Sequence, residues 1–145
     1  MGLGFSKDIY DSEGNDYIID YYDTEILPSG NTIKILFQEE QEYRKYYYNI
    51  YLVTAHKKKQ EYNTRLKSTG KDGLKGLFWA RDKIKEFEDF IKLEKIQRHG
   101  SIITIFCHWD DNRRRRVYEY GLKPLGYKME KLFNKKVLVK RFKIQ

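Results

Sequence analysis

One cysteine, two prolines and three histidines are all that the 145 residues contain of those types. Cys107 alone closes no internal disulfide and builds no cysteine-based zinc cluster; that suits a reducing compartment and leads us to expect a cytoplasmic protein. His56, His99 and His108 stand too far apart in the sequence for metal-ligand spacing. No apolar run approaches the ~20 residues of a membrane span, and no charged leader followed by an apolar segment opens the chain. Internal repeats and low-complexity tracts are also missing. With 40% hydrophobic, 34% charged and 16% aromatic residues, the composition is that of a globular chain rather than a disordered one. A chain of this length is expected to form one domain, residues 1–145, that buries roughly two-thirds of its unfolded surface.

Charge is plentiful and unevenly placed. The overall +8 conceals an acidic region and a basic one. Residues 1–44 carry three basic and ten acidic side chains, a net −7, and residues 45–145 carry 26 basic and 11 acidic, a net +15. A polyanionic partner for the second region is the physical implication, whether nucleic acid, a phosphorylated cofactor or an acidic protein. Solvated faces balanced by the acidic strands account for the same numbers equally well.

Residues 17–27 and 32–38 are rich in β-branched and aromatic side chains and are separated by Pro28-Ser-Gly-Asn31, the pattern of a β-hairpin. A polar link over 39–44 leads to residues 46–55, whose nearly unbroken apolar second half predicts a central strand covered on both faces. Leu74, Leu77, Phe78, Ala80, Ile84, Phe87 and Ile91 then recur at helical spacing, predicting a helix that ends near Lys95. His99-Gly100-Ser101 breaks it. Residues 102–109 read as a buried strand, and strand–helix–strand implies a parallel crossover. Asp110, Asp111 and Asn112 offer caps to a second helix ending near Gly121, before Pro124 and Gly126. Residues 127–133 and 137–144 form a terminal hairpin joined at Asn134-Lys135. The expected class is α/β (α+β): one mixed, mostly antiparallel sheet in the order β-β-β-α-β-α-β-β.

The segment from Arg65 to Ala80 carries the main functional lead. Gly70, Gly73 and Gly76 sit among basic residues where the first long helix opens, and the unpartnered amides at a helix start attract anions. A nucleotide P-loop is excluded, because Arg65 stands where its first glycine belongs and Asp72 where its Ser or Thr belongs. The dinucleotide fingerprint fails on glycine spacing. Turning a corner is the plain structural use of such glycines.

Residues 46–144 resemble the GNAT family of N-acetyltransferases. Lys67-Ser-Thr-Gly70-Lys-Asp-Gly73-Leu-Lys-Gly76 is similar to that family's Gln/Arg-x-x-Gly-x-Gly/Ala loop with one residue inserted. Asn112, Tyr118-Glu119 and Leu125-Gly126-Tyr127 resemble its Asn…Tyr-Glu and Leu-Gly-Phe elements. The resemblance implies acetyl-coenzyme A as cofactor, its pyrophosphate on amides from Gly70 to Leu74 with Lys67, Thr69, Lys71, Asp72, Gly73 and Asn112 around it. It also implies a main-chain N–H between Val53 and Ala55 that polarises the thioester carbonyl, and Tyr118 as the acid that protonates the leaving thiolate. The acceptor would be an amine. No general base is evident, since Glu119 points away from Tyr118 on a helix. The chain departs from the family in having no helical period in residues 1–45, where acceptor-binding helices normally lie, so it reads as a shortened member.

A non-enzymatic basic module of the same fold is the second reading. Arg113, Arg114, Arg115 and Arg116, with Lys57, Lys58 and Lys59, would meet nucleic acid or an acidic protein, as in a phage or mobile-element accessory protein. Tyr46, Tyr47, Tyr48 and Tyr51 would stack unpaired bases, although cross-strand packing explains them as well. Cys107, within an apolar strand, reads as core rather than nucleophile.

Overall fold

Side-chain alternation decides which way the strands face. The computed structural model describes residues 4–11, 17–55, 62–63, 75–109 and 112–145, the side chains of 62–63 and 112–114 excepted. The strands are β1 (Ser6–Asp11), β2 (Tyr17–Ile26), β3 (Thr32–Glu42), β4 (Lys45–Ala55), β5 (Tyr62–Asn63), β6 (Ile102–Cys107), β7 (Lys128–Leu132) and β8 (Lys135–Lys143). Helix α1 (Lys75–Glu94) lies between β5 and β6, and α2 (Asn112–Leu122) follows β6. In β3, Ile33, Ile35, Phe37 and Glu39 are buried while the residues between them are only half-buried. Period two of this kind puts one set of side chains under the helices and the other on an open face.

One mixed, mostly antiparallel sheet results, in the order β1-β2-β3-β4-β6-β8-β7, with β5 pairing on β4. β4 and β6 are its parallel pair, running from Lys45 opposite Ile102 to Asn49 opposite Phe106. The α1 helix supplies the crossover between them. Its 20 residues reach about 30 Å, comparable to the span of the 11-residue β4 at about 3.3 Å per residue. The chain therefore returns to the start of β4 before β6 begins.

Two strands lie beyond the sequence expectation. β1 pairs with β2 along six residues, and all six of its side chains are exposed, so no apolar periodicity marks it. β5 is two residues long. The expected polar link over 39–44 is strand through Glu42, because Glu39 to Glu42 pair in register with Tyr48 to Lys45 and the turn is only Tyr43-Arg44. Glu39 is tolerated in the core by its partners: Tyr48 Oη donates to its carboxylate and Lys95 Nζ lies 3.1 Å from Oε1. β4 is not covered on both faces over its second half. Ile50, Leu52 and Thr54 are buried, while Tyr51, Val53 and Ala55 are only half-buried. It is β6 that is buried on both faces, from Ile103 to Cys107. The second helix ends one residue later than expected, continues as a short 3-10 turn (Lys123–Leu125), and stops at Gly126, whose φ of 99° suits glycine.

Aromatic rings fasten α1 to the sheet. Phe87, fully buried, stacks on Phe37 with centroids 3.8 Å apart and rings within 4° of parallel. Phe5, Tyr21 and Tyr48 close on the same ring at 5.4, 5.8 and 5.3 Å. Lys83 of the same helix bridges to Asp23 of β2 at 2.6 Å. At the other end, Glu88 receives Tyr127 Oη at 3.0 Å and Lys140 Nζ at 2.7 Å, which satisfies a carboxylate that burial would otherwise penalise.

Phe87→Ala removes the centre of this cluster and is expected to cost about 3–5 kcal/mol in chemical denaturation; a loss below about 1 kcal/mol would show that the stack does not hold the helix. Burial raises the phenols of Tyr21, Tyr48 and Tyr127 above the ordinary tyrosine value, with Glu39 adding to the first two and Glu88 to the third. Their folded pKa values exceed those of the unfolded chain, so this stability is complete below about pH 10 and declines as pH rises beyond it. The expected result is a melting temperature that falls between about pH 9 and about pH 11, with phenolate absorbance from these three appearing only on unfolding.

Candidate functional site

The parallel pairing of β4 and β6 stops early. β6 has six residues against eleven in β4, and its last pair is Asn49 opposite Phe106. On the same flank β5 pairs only with Thr54 and Ala55. Among the described residues, β4 thus has no ladder partner on that side from residue 50 to residue 53. Successive residues of a strand turn their N–H and C=O groups to opposite sides. Two of these four residues therefore direct main-chain polar groups into the interval rather than toward β3.

Under the helices, at the same place, lies an apolar cavity of about 30 Å³. Ile50 and Leu52 of β4 and Cys107 of β6 form its floor, and Leu77 and Ala80 of α1 with Tyr118 and Gly121 of α2 form its walls. At roughly 10–15 Å³ per water-sized site, the space takes two or three heavy atoms. Gly121 is buried in α2, and a methyl group built on it would sit 3.6 Å from Leu77 Cδ1, an ordinary contact. The glycine is thus not required by crowding. What it leaves is open volume beside Tyr118.

No family model, curated protein or solved structure matches the chain. Function therefore rests on the geometry.

Of the residues singled out from the sequence, Tyr118 reaches the cavity wall from a half-buried position. Val53 lies in the unpaired interval of β4, whereas Ala55 is paired with Tyr62. The glycine loop, with Lys67, Thr69, Gly70, Lys71, Asp72, Gly73 and Leu74, lies outside the described residues, as do Lys57, Lys58 and Lys59 and the side chains of Asn112, Arg113 and Arg114. Arg115 Nε stands 3.4 Å from Glu119, and Lys123 Nζ stands 2.9 Å from it. The hydrogen bond from Lys123, with the charges of Lys123 and Arg115, holds the Glu119 carboxyl below its ordinary value.

The tyrosine platform is divided by the pleat. Tyr46 and Tyr48 face the helices and belong to the main core, and Tyr48 is fully buried. Tyr47 and Tyr51 face the open side of the sheet, where Tyr47 packs against Phe106, Val137 and Val139. A continuous row of four stacking rings does not exist, because adjacent residues of a strand cannot share a face. Cys107 is buried among apolar neighbours, in keeping with a core role. His99 Nδ1 lies 2.7 Å from the carbonyl of Gln145. Among the described residues no three His, Cys, Asp or Glu side chains come together as a metal site, and no helix is long and apolar enough to cross a membrane.

Leu77 and Gly121 are the cavity residues that pattern reading passes over. Leu77 reads as ordinary helical core. Gly121 reads as a helix end, although a glycine within a helix already signals a packing or functional reason. Gly121→Ala is expected to raise stability by about 0.5–1 kcal/mol through helix propensity while filling the cavity; a fall in melting temperature would show that the site has no spare volume.

Proposed function

We propose that the chain binds an acyl-coenzyme A and transfers the acetyl group to an amine. The observation that supports this reading is the coincidence of an interval on β4 that has, among the described residues, no ladder partner on the β6 side with a cavity of acetyl size walled by Tyr118. An extended thioester arm laid along residues 50–53 would complete the ladder that β6 leaves unfinished. A main-chain N–H from this interval would polarise the thioester carbonyl, as donors aimed at developing negative charge do. The acetyl methyl would occupy the apolar space between Leu52, Leu77 and Gly121.

The step itself is an acyl transfer. The neutral amine attacks the carbonyl carbon, the C–N bond forms, and the C–S bond breaks. Tyr118 gives its proton to the departing thiolate and recovers one from the amine through solvent. Gly70 to Leu74 would hold the pyrophosphate at the start of α1.

A basic module that binds nucleic acid or an acidic protein is favoured by a different observation. The terminal hairpin exposes Lys128, Lys131, Lys135, Lys136, Arg141 and Lys143 along two neighbouring strands. Steep loss of nucleic-acid affinity with rising salt would support that reading.

Acetyl-coenzyme A at about a hundred times its dissociation constant is expected to stabilise the fold by about 2.7 kcal/mol, readable in a melting scan. Absence of any shift up to millimolar ligand removes the transferase reading. Tyr118→Phe is expected to retain that shift and to lower turnover by about 10²-fold or more. Unchanged turnover would take the phenol out of the mechanism.

A further inference from the structure

On the face opposite the helices the same strands enclose a groove of about 390 Å³, within the range of small-molecule sites. Its apolar end is made by Tyr47, Phe106 and Phe133, with Phe133 5.2 Å from Tyr47 and 5.8 Å from Phe106. Phe133 takes a φ of 51° and Asn134 one of 63° in the two-residue turn between β7 and β8. Asparagine and glycine are the usual occupants of such a turn, and an aromatic residue in the left-handed region is disfavoured. The ring is kept at that cost over the end of the groove, and it remains 54% exposed.

The polar end is made of acceptors. Gln38 spends its Nε2 on Asp20 Oδ1 at 3.2 Å and Tyr10 Oη at 3.3 Å. Reversing that amide would set its oxygen against the Asp20 carboxylate, so Asp20 fixes its orientation and leaves Oε1 for the groove. Asn49 gives its Nδ2 to Tyr51 Oη at 2.8 Å and approaches His108 Nε2 at 3.4 Å, leaving Oδ1 buried with no hydrogen-bond partner. Glu40 adds a carboxylate on the same wall. Burial, with Glu40 and Asp20, raises the Tyr51 phenol above its ordinary value, in keeping with negative potential at this end. Lys135 is the cation on the far bank, at the aromatic end.

We propose that this groove is a binding site for a small organic cation, an amine or guanidine whose N–H groups meet Gln38 and Glu40 while its apolar body rests against Phe106 and Phe133. The Gln38 amide oxygen and the Glu40 carboxylate, with aromatic rings beside them, match an N–H-rich cation. An anion would find Lys135 at the aromatic end but would meet Glu40 and an amide oxygen at the polar one, and a ring without donors would leave Gln38 and Glu40 unmatched. The site stands on its own observations and does not depend on the coenzyme reading. The two are close in the fold, because Tyr51 and His108 line the groove while their chain neighbours Leu52 and Cys107 line the cavity on the other face. An amine held here is also the class of acceptor that acyl transfer uses.

The test is a nuclear magnetic resonance titration of the full chain with 2-phenylethylamine, 2-phenylethanol and 3-phenylpropionate, followed at the side-chain signals of Asn49, Gln38 and His108. Only the amine is expected to move these signals in a saturable way. Glu40→Gln is expected to weaken it about fivefold, the scale of one partly screened ion pair. Phe133→Gly keeps a turn that glycine prefers and is expected to weaken the amine by a similar factor. Binding of the alcohol or the acid as tightly as the amine, silence of the groove signals, or indifference to both substitutions would overturn the assignment. Amine binding without an acetyl-coenzyme A shift leaves the groove standing and the transferase reading fallen; the reverse pattern does the opposite.

Discussion

The stack of Phe87 on Phe37 fixes where α1 lies, and the rest of the architecture follows from that position. A helix pinned across β2, β3 and β4 by one ring and its aromatic neighbours has a single way to return the chain to the sheet. It delivers Ile102 beside Lys45, at the start of β4, and so makes the parallel pair. Aromatic packing thereby sets a main-chain register some distance away.

Register and length together create the two candidate sites. β6 pairs with the first half of β4 and ends at Cys107, so among the described residues β4 keeps β3 alone as a ladder neighbour from residue 50 to residue 53, before β5 pairs with Thr54 and Ala55. Toward the helices the unpaired interval meets the small cavity beside Tyr118; toward the open face it borders the groove of Gln38, Asn49 and His108. Among the described residues, that stretch of β4 with one ladder places main chain at the junction of an apolar pocket and a polar one.

Much of the fold was legible because period and punctuation are local signals. The apolar spacing from Leu77 to Ile91 gave α1, Pro28-Ser-Gly-Asn31 gave a turn, and the run from Ile102 gave β6. β1 was silent because an exposed edge strand has no buried face to impose a pattern. Glu39 to Glu42 looked like a link because four polar residues conceal strand pairing that depends on Tyr48 and Lys95, residues of other elements. The site was less legible still. Tyr118 carried a motif signal, but Asn49, Gln38 and Phe133 carried none, since each matters through a partner on another strand.

What the sequence determined by itself is the two helices and the presence of the strands that have a buried face, because these follow from side-chain periodicity and from the few glycines and prolines that interrupt it. Tertiary structure alone decided which strand stops short beside which. It also set the distance from Gln38 to Asp20. Those outcomes depend on contacts between residues far apart in the chain, where local preference carries no information.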